Sequence, residues 1–367
     1  MPRKPYDIQF FDKDMVRIGN APSPHNLISD VSFSEQINRG QSNIKLEYSY
    51  SFDDYPQGLK EFNFVRIYDS KARLIYTGFV SQVSPQLSSR KESVSVEVLG
   101  LASLFSQMLY KDGSSVEVAK VGIDPSVVIT ECILQLQTEY PPASGTQWVG
   151  TDPVTGIRTG SQVGSVGTNI DYTFSRQTMI KAINQAVELA GGNWFWMIDK
   201  GGDFIFKEKP TSPAHEFVIG KHIIDLDITR SVERVKNHCT VTYGDPEAIV
   251  VSEDLVSQAL YGLREEYQSG KSTDDSVAAQ QIADKVIAES KDPETSIVLR
   301  IQNGAYDGET IRAGDTCKIK NYNKTFPIFT ENMLIHKVSY TQNIVTIELE
   351  SVRLDAIDSI TRLVQNI

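Results

Sequence analysis

Residues 61–109 constrain the fold more than any other part of the chain. They read as a strand ending in the polar turn Asp69-Ser70-Lys71, then a second strand through Leu74, Ile75 and Tyr76 to Gly78-Phe79-Val80. After a charged turn at Ser89-Arg90-Lys91-Glu92, a third strand alternates, with Val94, Val96 and Val98 on one face and Ser93, Ser95 and Glu97 on the other. Leu101, Leu104, Phe105 and Met108 then fall at helical spacing, so the period switches from 2 to about 3.6 with hardly a linker between. Upstream, Ile44, Leu46, Tyr48 and Tyr50 alternate with Asn43, Lys45, Glu47 and Ser49, the pattern of a half-buried strand. Together with Ile8-Gln9-Phe10, these segments predict a small antiparallel barrel or sandwich over residues 1–108.

A chain of 367 residues is too long for one core and predicts roughly two to four domains. Its hydrophobic content of 40% and charged content of 23% are ordinary for a soluble globular protein. No apolar run approaches the roughly 20 residues that a membrane helix needs. The basic start Met1-Pro2-Arg3-Lys4-Pro5-Tyr6-Asp7 leads into no apolar stretch, so a signal peptide is not expected. Cys132, Cys239 and Cys317 lie far apart, and their odd number argues against a disulfide framework and for synthesis in a reducing cytoplasm. The net charge of −11 is uneven: residues 216–367 carry 16 basic against 24 acidic side chains. Such a chain is a poor candidate for gripping phosphates. Its acidity fits either plain solubility or a surface along which DNA slides without sticking.

The stretch 109–215 changes character. Asp124-Pro125 reads as a helix start, with Ile129, Cys132, Ile133 and Leu136 on one face before Pro141-Pro142. Residues 138–172 are rich in Gly, Thr, Ser and Pro and predict a long loop, with 141–170 ordered mainly by contacts between chains. Ser175 is the expected cap of a second helix striped by Met179, Ile180, Ile183, Ala186, Val187 and Ala190 and closed by Gly191-Gly192. A hairpin follows, Asn193 to Ile198 and Asp203 to Lys207, turning at Asp199-Lys200-Gly201-Gly202.

The span 216–352 is again rich in strands. Arg234 and Asn237 precede a strand through Val241 and Tyr243, and Tyr261-Gly262-Leu263-Arg264-Glu265 follows. A helix over about 272–291, started around Ser272-Thr273-Asp274-Asp275 and striped by Ala278, Ile282, Val286 and Ile287, stops at Asp292-Pro293. Strands return at Ile297, Leu299 and Ile301, at Gly314-Asp315 to Ile319, and in a closing hairpin through Val338 and Val345-Ile347-Leu349. The tail, 353–367, places Leu354, Ile357, Ile360, Val364 and Ile367 at helical spacing. So short a helix needs a surface to pack on, either its own domain or a neighbouring subunit.

Few constellations carry chemistry. Gly270-Lys271-Ser272-Thr273 matches the end of a P-loop, but Glu265 stands where the first glycine belongs. His238-Cys239 sits at a strand start, and the remaining histidines show no zinc spacing. There is no Gly-x-Ser-x-Gly elbow. The acidic pairs Asp53-Asp54 and Glu265-Glu266 read as solvated turns, and Asp274-Asp275 as a complement to a helix N-terminus. Trp194-Phe195-Trp196 reads as core or interface packing, with sugar stacking as the other use. No catalytic, cofactor or metal residues are expected.

The three strands and Leu-rich helix of 61–109 resemble the first barrel of the tail-tip hub proteins of tailed bacteriophages. Helix, Gly-Gly, aromatic strand, Asp-x-Gly turn and strand resemble the α/β insertion of the same family. Arg234-x-x-Asn237, then Tyr261-Gly262-Leu263-Arg264-Glu265, a capped helix, Gly314-Asp315-x-x-x-Ile319 and a closing hairpin resemble its second barrel. The likeness covers residues 6 to 352. It implies a mainly β, α+β chain of two small antiparallel β-barrels flanking an α/β insertion, with a helix inserted in the second barrel. It further implies a structural virion protein that closes the distal end of a tail tube. As a homotrimer such a protein adapts six-fold to three-fold symmetry and opens for DNA passage. Implied partners are further copies of itself, tube and distal tail proteins, and a central spike, fibre or receptor-binding protein. The genome passes without specific binding, and no cofactor is needed. Leu354, Ile357, Ile360, Val364 and Trp148 are the candidate contacts between subunits. The rival expectations are a tail-associated cell-wall hydrolase, and a carbohydrate-binding module using Trp148 and Trp194 to Trp196.

Overall fold

The computed structural model describes residues 6–12, 16–18, 27–49, 58–87, 92–139, 158–191, 193–244, 248–269, 276–302, 304–320, 332–341, 343–349 and 352–353. These are mostly strands with few helices. The chain divides into two compact units. Unit 1 holds Met1–Phe217, Arg300–Lys318 and Asn332–Ile347, and unit 2 holds Val218–Leu299, Ile319–Glu331 and Glu348–Ile367.

In unit 1 an antiparallel half-barrel of five strands runs Asp7–Phe11, Phe64–Tyr68, Leu74–Leu87, Glu92–Gly100 and Ile44–Ser49, in that spatial order. The alternation in the sequence sets the register: Ile44, Leu46 and Tyr48 lie opposite Val98, Val96 and Val94, all six buried. Ser93 and Ser95, on the face opposite those valines, are buried as well. Asp69 closes the first turn by accepting from the backbone N–H of Lys71 and Arg73, both at 2.8 Å. Gly78 and Gly100 face each other across the ladder. At Gly100 a Cβ would lie 2.2 Å from the Gln41 carbonyl oxygen, so only glycine lets the chain turn there into the 3-10 helix Leu101–Ser106.

The helices α1 (Pro125–Glu139) and α2 (Met179–Ala190) pack on each other in the same unit. Asp124 starts α1, accepting from the Ser126 N–H at 2.9 Å, and its other oxygen takes Ser165 Oγ and the Gly167 N–H. Burial pushes this carboxyl up, but those hydrogen bonds outweigh it and hold it below the usual range. Ser175 does not cap α2. It is the last residue of the strand Ile170–Ser175, which pairs with Glu117–Ile123, and Thr178 stands at the helix start. The predicted loop 138–172 also contains structure of its own. Arg158–Val163 is a strand parallel to Asp203–Glu208, and this strand in turn pairs antiparallel with Trp194–Ile198. The aromatic hairpin is core: Trp196 is fully buried, stacks on Phe204 at 5.2 Å and donates from Nε1 to Asn184 at 2.7 Å.

Distant segments complete unit 1. Phe33–Gln36 pairs with Met333–Tyr340, some 300 positions away. Beneath that pairing lies a buried polar cluster. Glu35 accepts from Gln41 Nε2 at 3.3 Å and from the Tyr340 hydroxyl at 3.4 Å, with Arg312 3.7 Å away. Arg73 joins the Asp69 turn to Asp307 through bonds of 2.6, 3.0 and 2.8 Å.

Candidate interaction surface

Unit 2 contains a three-stranded sheet whose central strand is His238–Tyr243. Ala248–Glu253 pairs with it antiparallel and Glu265–Ser269 pairs with it parallel. A parallel neighbour requires a crossover, and the seven-residue helix α3 (Leu255–Tyr261) supplies it. The longer helix α4 (Ser276–Ser290) covers one face of the sheet. Cys239, Val241, Ala279, Ala283 and Ile287 are buried between them, with Tyr243, Val250, Ile282 and Val286 packed alongside. The sequence stripe thus predicted α4, while its most buried positions include Ala279 and Ala283, which the periodicity had not singled out.

On the opposite face the central strand is polar and partly covered, with Thr242 buried and its hydroxyl 3.2 Å from that of Tyr267, while apolar side chains stand exposed on the flanking strands. Strand alternation turns Thr240 and Thr242 away from α4. The register places Val251 and Tyr267 beside Thr240, and Ile249 beside Thr242. Ile249 is 63% exposed, Val251 45% and Tyr267 61%, so nothing in the described residues covers them.

At the His238 end of the sheet, α3 has its polarity reversed. Its inner side is held by polar groups. Asp254 caps it, accepting from the Ser257 N–H at 2.8 Å. The buried Ser257 donates to the Lys291 carbonyl at 2.5 Å, and Lys291 Nζ reaches back to Asp254 at 3.2 Å. The backbone hydrogen bond from Ser257, helped by Lys291 and opposed by burial, holds the Asp254 carboxyl below its ordinary range. Leu255, Val256, Leu260 and Leu263 face outward, between 47% and 67% exposed.

Asn237 locks α3 in that orientation. Fully buried, it donates from Nδ2 to the Gly262 carbonyl at 2.8 Å and to Ser257 Oγ at 3.3 Å, and its Oδ1 accepts from the Arg264 N–H at 2.7 Å. Arg234-x-x-Asn237 and Tyr261-Gly262-Leu263-Arg264, read in the sequence only as successive motifs, are thus joined by Asn237, whose one side chain satisfies the helix end and the start of the next strand together. We expect Asn237→Ala to cost about 2–3 kcal/mol, because the Gly262 carbonyl and Arg264 N–H lose a buried partner. Hydrogen exchange should locate the loss in 254–267, with the half-barrel of unit 1 unaffected.

The chosen contact residues Leu354, Ile357, Ile360, Val364 and Trp148 lie outside the described residues, as does Gly270-Lys271-Ser272-Thr273. Leu255, Val256, Leu260 and Leu263 were missed. The signal was present as Asp254 followed by apolar residues at 255, 256, 259 and 260, a capped stripe. Unit 1 offers one arrangement reminiscent of catalysis. His215 Nδ1 lies 2.9 Å from the Tyr306 hydroxyl and Nε2 lies 3.1 Å from Asp315. Burial, with Asp307 next, raises the Tyr306 pKa, which makes its hydroxyl a weaker nucleophile at neutral pH. Asp315 also accepts from the Arg312 N–H at 3.1 Å, so the group ties 306–315 to the strand His215–Val218. Among the described residues no group of three or more His, Cys, Asp or Glu could hold a metal ion.

The fold is that of phage tail proteins. A prophage tail protein from Shewanella oneidensis aligns over 95% of this chain and 98% of its own, with a TM-score of 0.62 at 11% identity. A tail protein from Neisseria meningitidis aligns over 96% and 98%, with a TM-score of 0.62 at 9% identity. A prophage tail protein from Listeria monocytogenes aligns over 98% of both chains, with a TM-score of 0.53 at 12% identity. Residues 157–350 match the YQBQ-like family model, and the chain belongs to that family. No curated protein matches it in sequence.

Proposed function

We propose that this protein is a structural component of a phage-type tail, the hub at the tail tip that closes the distal end of the tube. In this reading two barrel-like domains per chain, residues 1–108 and 216–352 with a helix within the second, flank the α/β insertion 109–215. Three copies present six such domains, matching a six-fold tube to a three-fold tip, and the assembly opens for DNA at infection. The observation that carries the reading is the fold likeness to prophage tail proteins over nearly the full length of both chains. The exposed apolar side chains on the flanking strands of the unit 2 sheet and on α3 support it, because a protein whose work is assembly needs apolar contacts that a partner covers. The acidic excess of residues 216–367 fits a conduit that offers DNA no phosphate traps. The partners are then tube and distal tail proteins and a central spike or fibre. The protein itself does no catalysis.

The test is a deletion of this chain in the phage or prophage that encodes it, complemented from a plasmid. The expected result is particles lacking a closed tip, at least a hundredfold less infectious, restored by complementation. The restored tip should hold three copies by image averaging. Normal, infectious tails without this chain would overturn the reading.

A further inference from the structure

The three-stranded sheet of unit 2 ends on one side at the strand Ala248–Glu253, which among the described residues has a neighbour only on its inner side. We propose that the outer edge of this strand is a docking site for an extended segment of another polypeptide, which adds to the sheet as a further strand and alternates apolar with basic side chains. This goes beyond the tail reading and does not depend on it.

The backbone sets the first requirement. The Asp254 N–H donates to the Asn237 carbonyl at 3.0 Å, and the register continues with Ser252 opposite Cys239, Val250 opposite Val241 and Ala248 opposite Tyr243. Along a strand the N–H and C=O of alternate residues point to opposite sides. Ala248, Val250 and Ser252 therefore bond inward like Asp254, and Ile249, Val251 and Glu253 present their backbone groups outward. Gln280 Nε2 takes one of these, the Val251 carbonyl, at 3.3 Å. In the half-barrel of unit 1 the two outer edges are covered. The Ile18 N–H donates to the Phe10 carbonyl at 2.9 Å on one, and the Ile28 N–H donates to the Glu47 carbonyl at 2.8 Å on the other. The strand Ala248–Glu253 has no such cover among the described residues, and it holds no proline or lysine, two usual guards against strand addition. A row of outward groups at this spacing is matched by the backbone of a second strand.

The side chains specify the partner. Ile249 and Val251 stand exposed on the face away from α4, so apolar residues of an added strand find apolar neighbours there. On the other face Ser252 Oγ donates to the exposed Asp284 of α4 at 2.7 Å, and Gln280 Nε2 donates to the same carboxylate at 2.9 Å. Those hydrogen bonds, from Ser252 first, hold the Asp284 carboxyl below its ordinary range, so it is charged at neutral pH. Glu253 is exposed at the end of the strand. From 237 to 263 the sequence carries four carboxylates, Asp245, Glu247, Glu253 and Asp254, and no lysine or arginine. A strand bearing basic side chains is complementary to this edge. A second copy of the chain is not. Its own Ala248–Glu253 would bring Glu253, and its Glu265–Ser269 would bring Glu265 and Glu266, like charge against like.

The experiment uses the full chain and a synthetic peptide, acetyl-Ser-Val-Lys-Val-Lys-Val-Ser-amide, with amide exchange read residue by residue by NMR. In the free protein the N–H groups of Ile249, Val251 and Glu253 are expected to exchange at least tenfold faster than those of Val250 and Ser252. Peptide at millimolar concentration should slow the first three at least fivefold and leave the other two unchanged. Val251→Pro removes an outward N–H and no bond of the native ladder, so it should weaken peptide binding at least tenfold with the exchange of α4 unaltered. Val251→Lys, which keeps the backbone and adds a charge of the wrong sign, should act in the same direction and keeps the test open if the proline variant folds poorly. Replacing the peptide lysines with glutamates should also weaken binding at least tenfold. Outward amides already protected in the free protein overturn the proposal, and protection that grows with protein concentration would assign the edge to a second copy instead. Peptide binding that is absent, or that is equal for the glutamate peptide or for a folded Val251 variant, overturns it as well.

Discussion

Replacing Arg312 with methionine should lower the stability of the protein by about 3–5 kcal/mol, the cost of leaving a buried charge without its counter-ion. Glu35 is 2% exposed and meets Arg312, Gln41 and Tyr340 between the strands Phe33–Gln36 and Met333–Tyr340. Burial raises the Glu35 carboxyl above its ordinary 4.5, and Arg312 is the largest influence pulling it back. The sign of the pH dependence follows. A carboxyl raised in the folded state binds more protons folded than unfolded, so its contribution to stability falls as pH rises from 4.5 through the raised value. Without Arg312 that window extends further upward. The variant should therefore lose more stability at pH 8 than at pH 5, measured by urea unfolding at both. Combining Arg312→Met with Glu35→Gln should recover much of the loss. A variant equally destabilised at both pH values would show that Glu35 is not what Arg312 neutralises.

Trp196→Ala should cost a similar amount, about 3–5 kcal/mol, for a different reason. Its indole lies at the centre of a cluster formed by Leu101, Phe105, α1, α2 and the hairpin strands, stacked on Phe204. Truncation opens a cavity in packing that cannot close around it and strands the Asn184 oxygen that accepts from Nε1 at 2.7 Å. Trp194, only partly buried against the same cluster and tilted on Phe206, should cost markedly less when truncated. Equal losses at the two positions, read from urea midpoints, would contradict this account of the core.

Much of the secondary structure was legible from local pattern. The period-2 runs at 44–49 and 92–98 and the aromatic hairpin around Asp199 are strands where alternation placed them. Asp124-Pro125 opens α1 because a carboxylate accepting from the first free N–H groups and a proline without one suit the same site. Ser175 misled for an equally local reason: a serine before an apolar stripe looks like a cap whether or not the chain is still pairing as a strand. The strand Arg158–Val163 was invisible, since a Gly- and Thr-rich run carries no alternation and takes its conformation from Asp203–Glu208 beside it.

In the candidate surface, Asn237 and the Gly262 turn stood out in the sequence, whereas the outward side of α3 did not. A stripe of Leu and Val reads as core in any one-dimensional pattern. Only the placement of Asn237, Ser257 and Lys291 on its inner side turns that stripe toward solvent. Local propensity, turn chemistry and capping act over a few residues, so residue order alone decides where strands and helices begin and which of their faces are apolar. Which apolar face meets which depends on pairings such as Phe33–Gln36 with Met333–Tyr340, between segments far apart in the chain. No local energy distinguishes such a pairing from its alternatives. Burial of Glu35 with Arg312, and exposure of Leu260 and Tyr267, are consequences of the closed chain and exist only once it has folded.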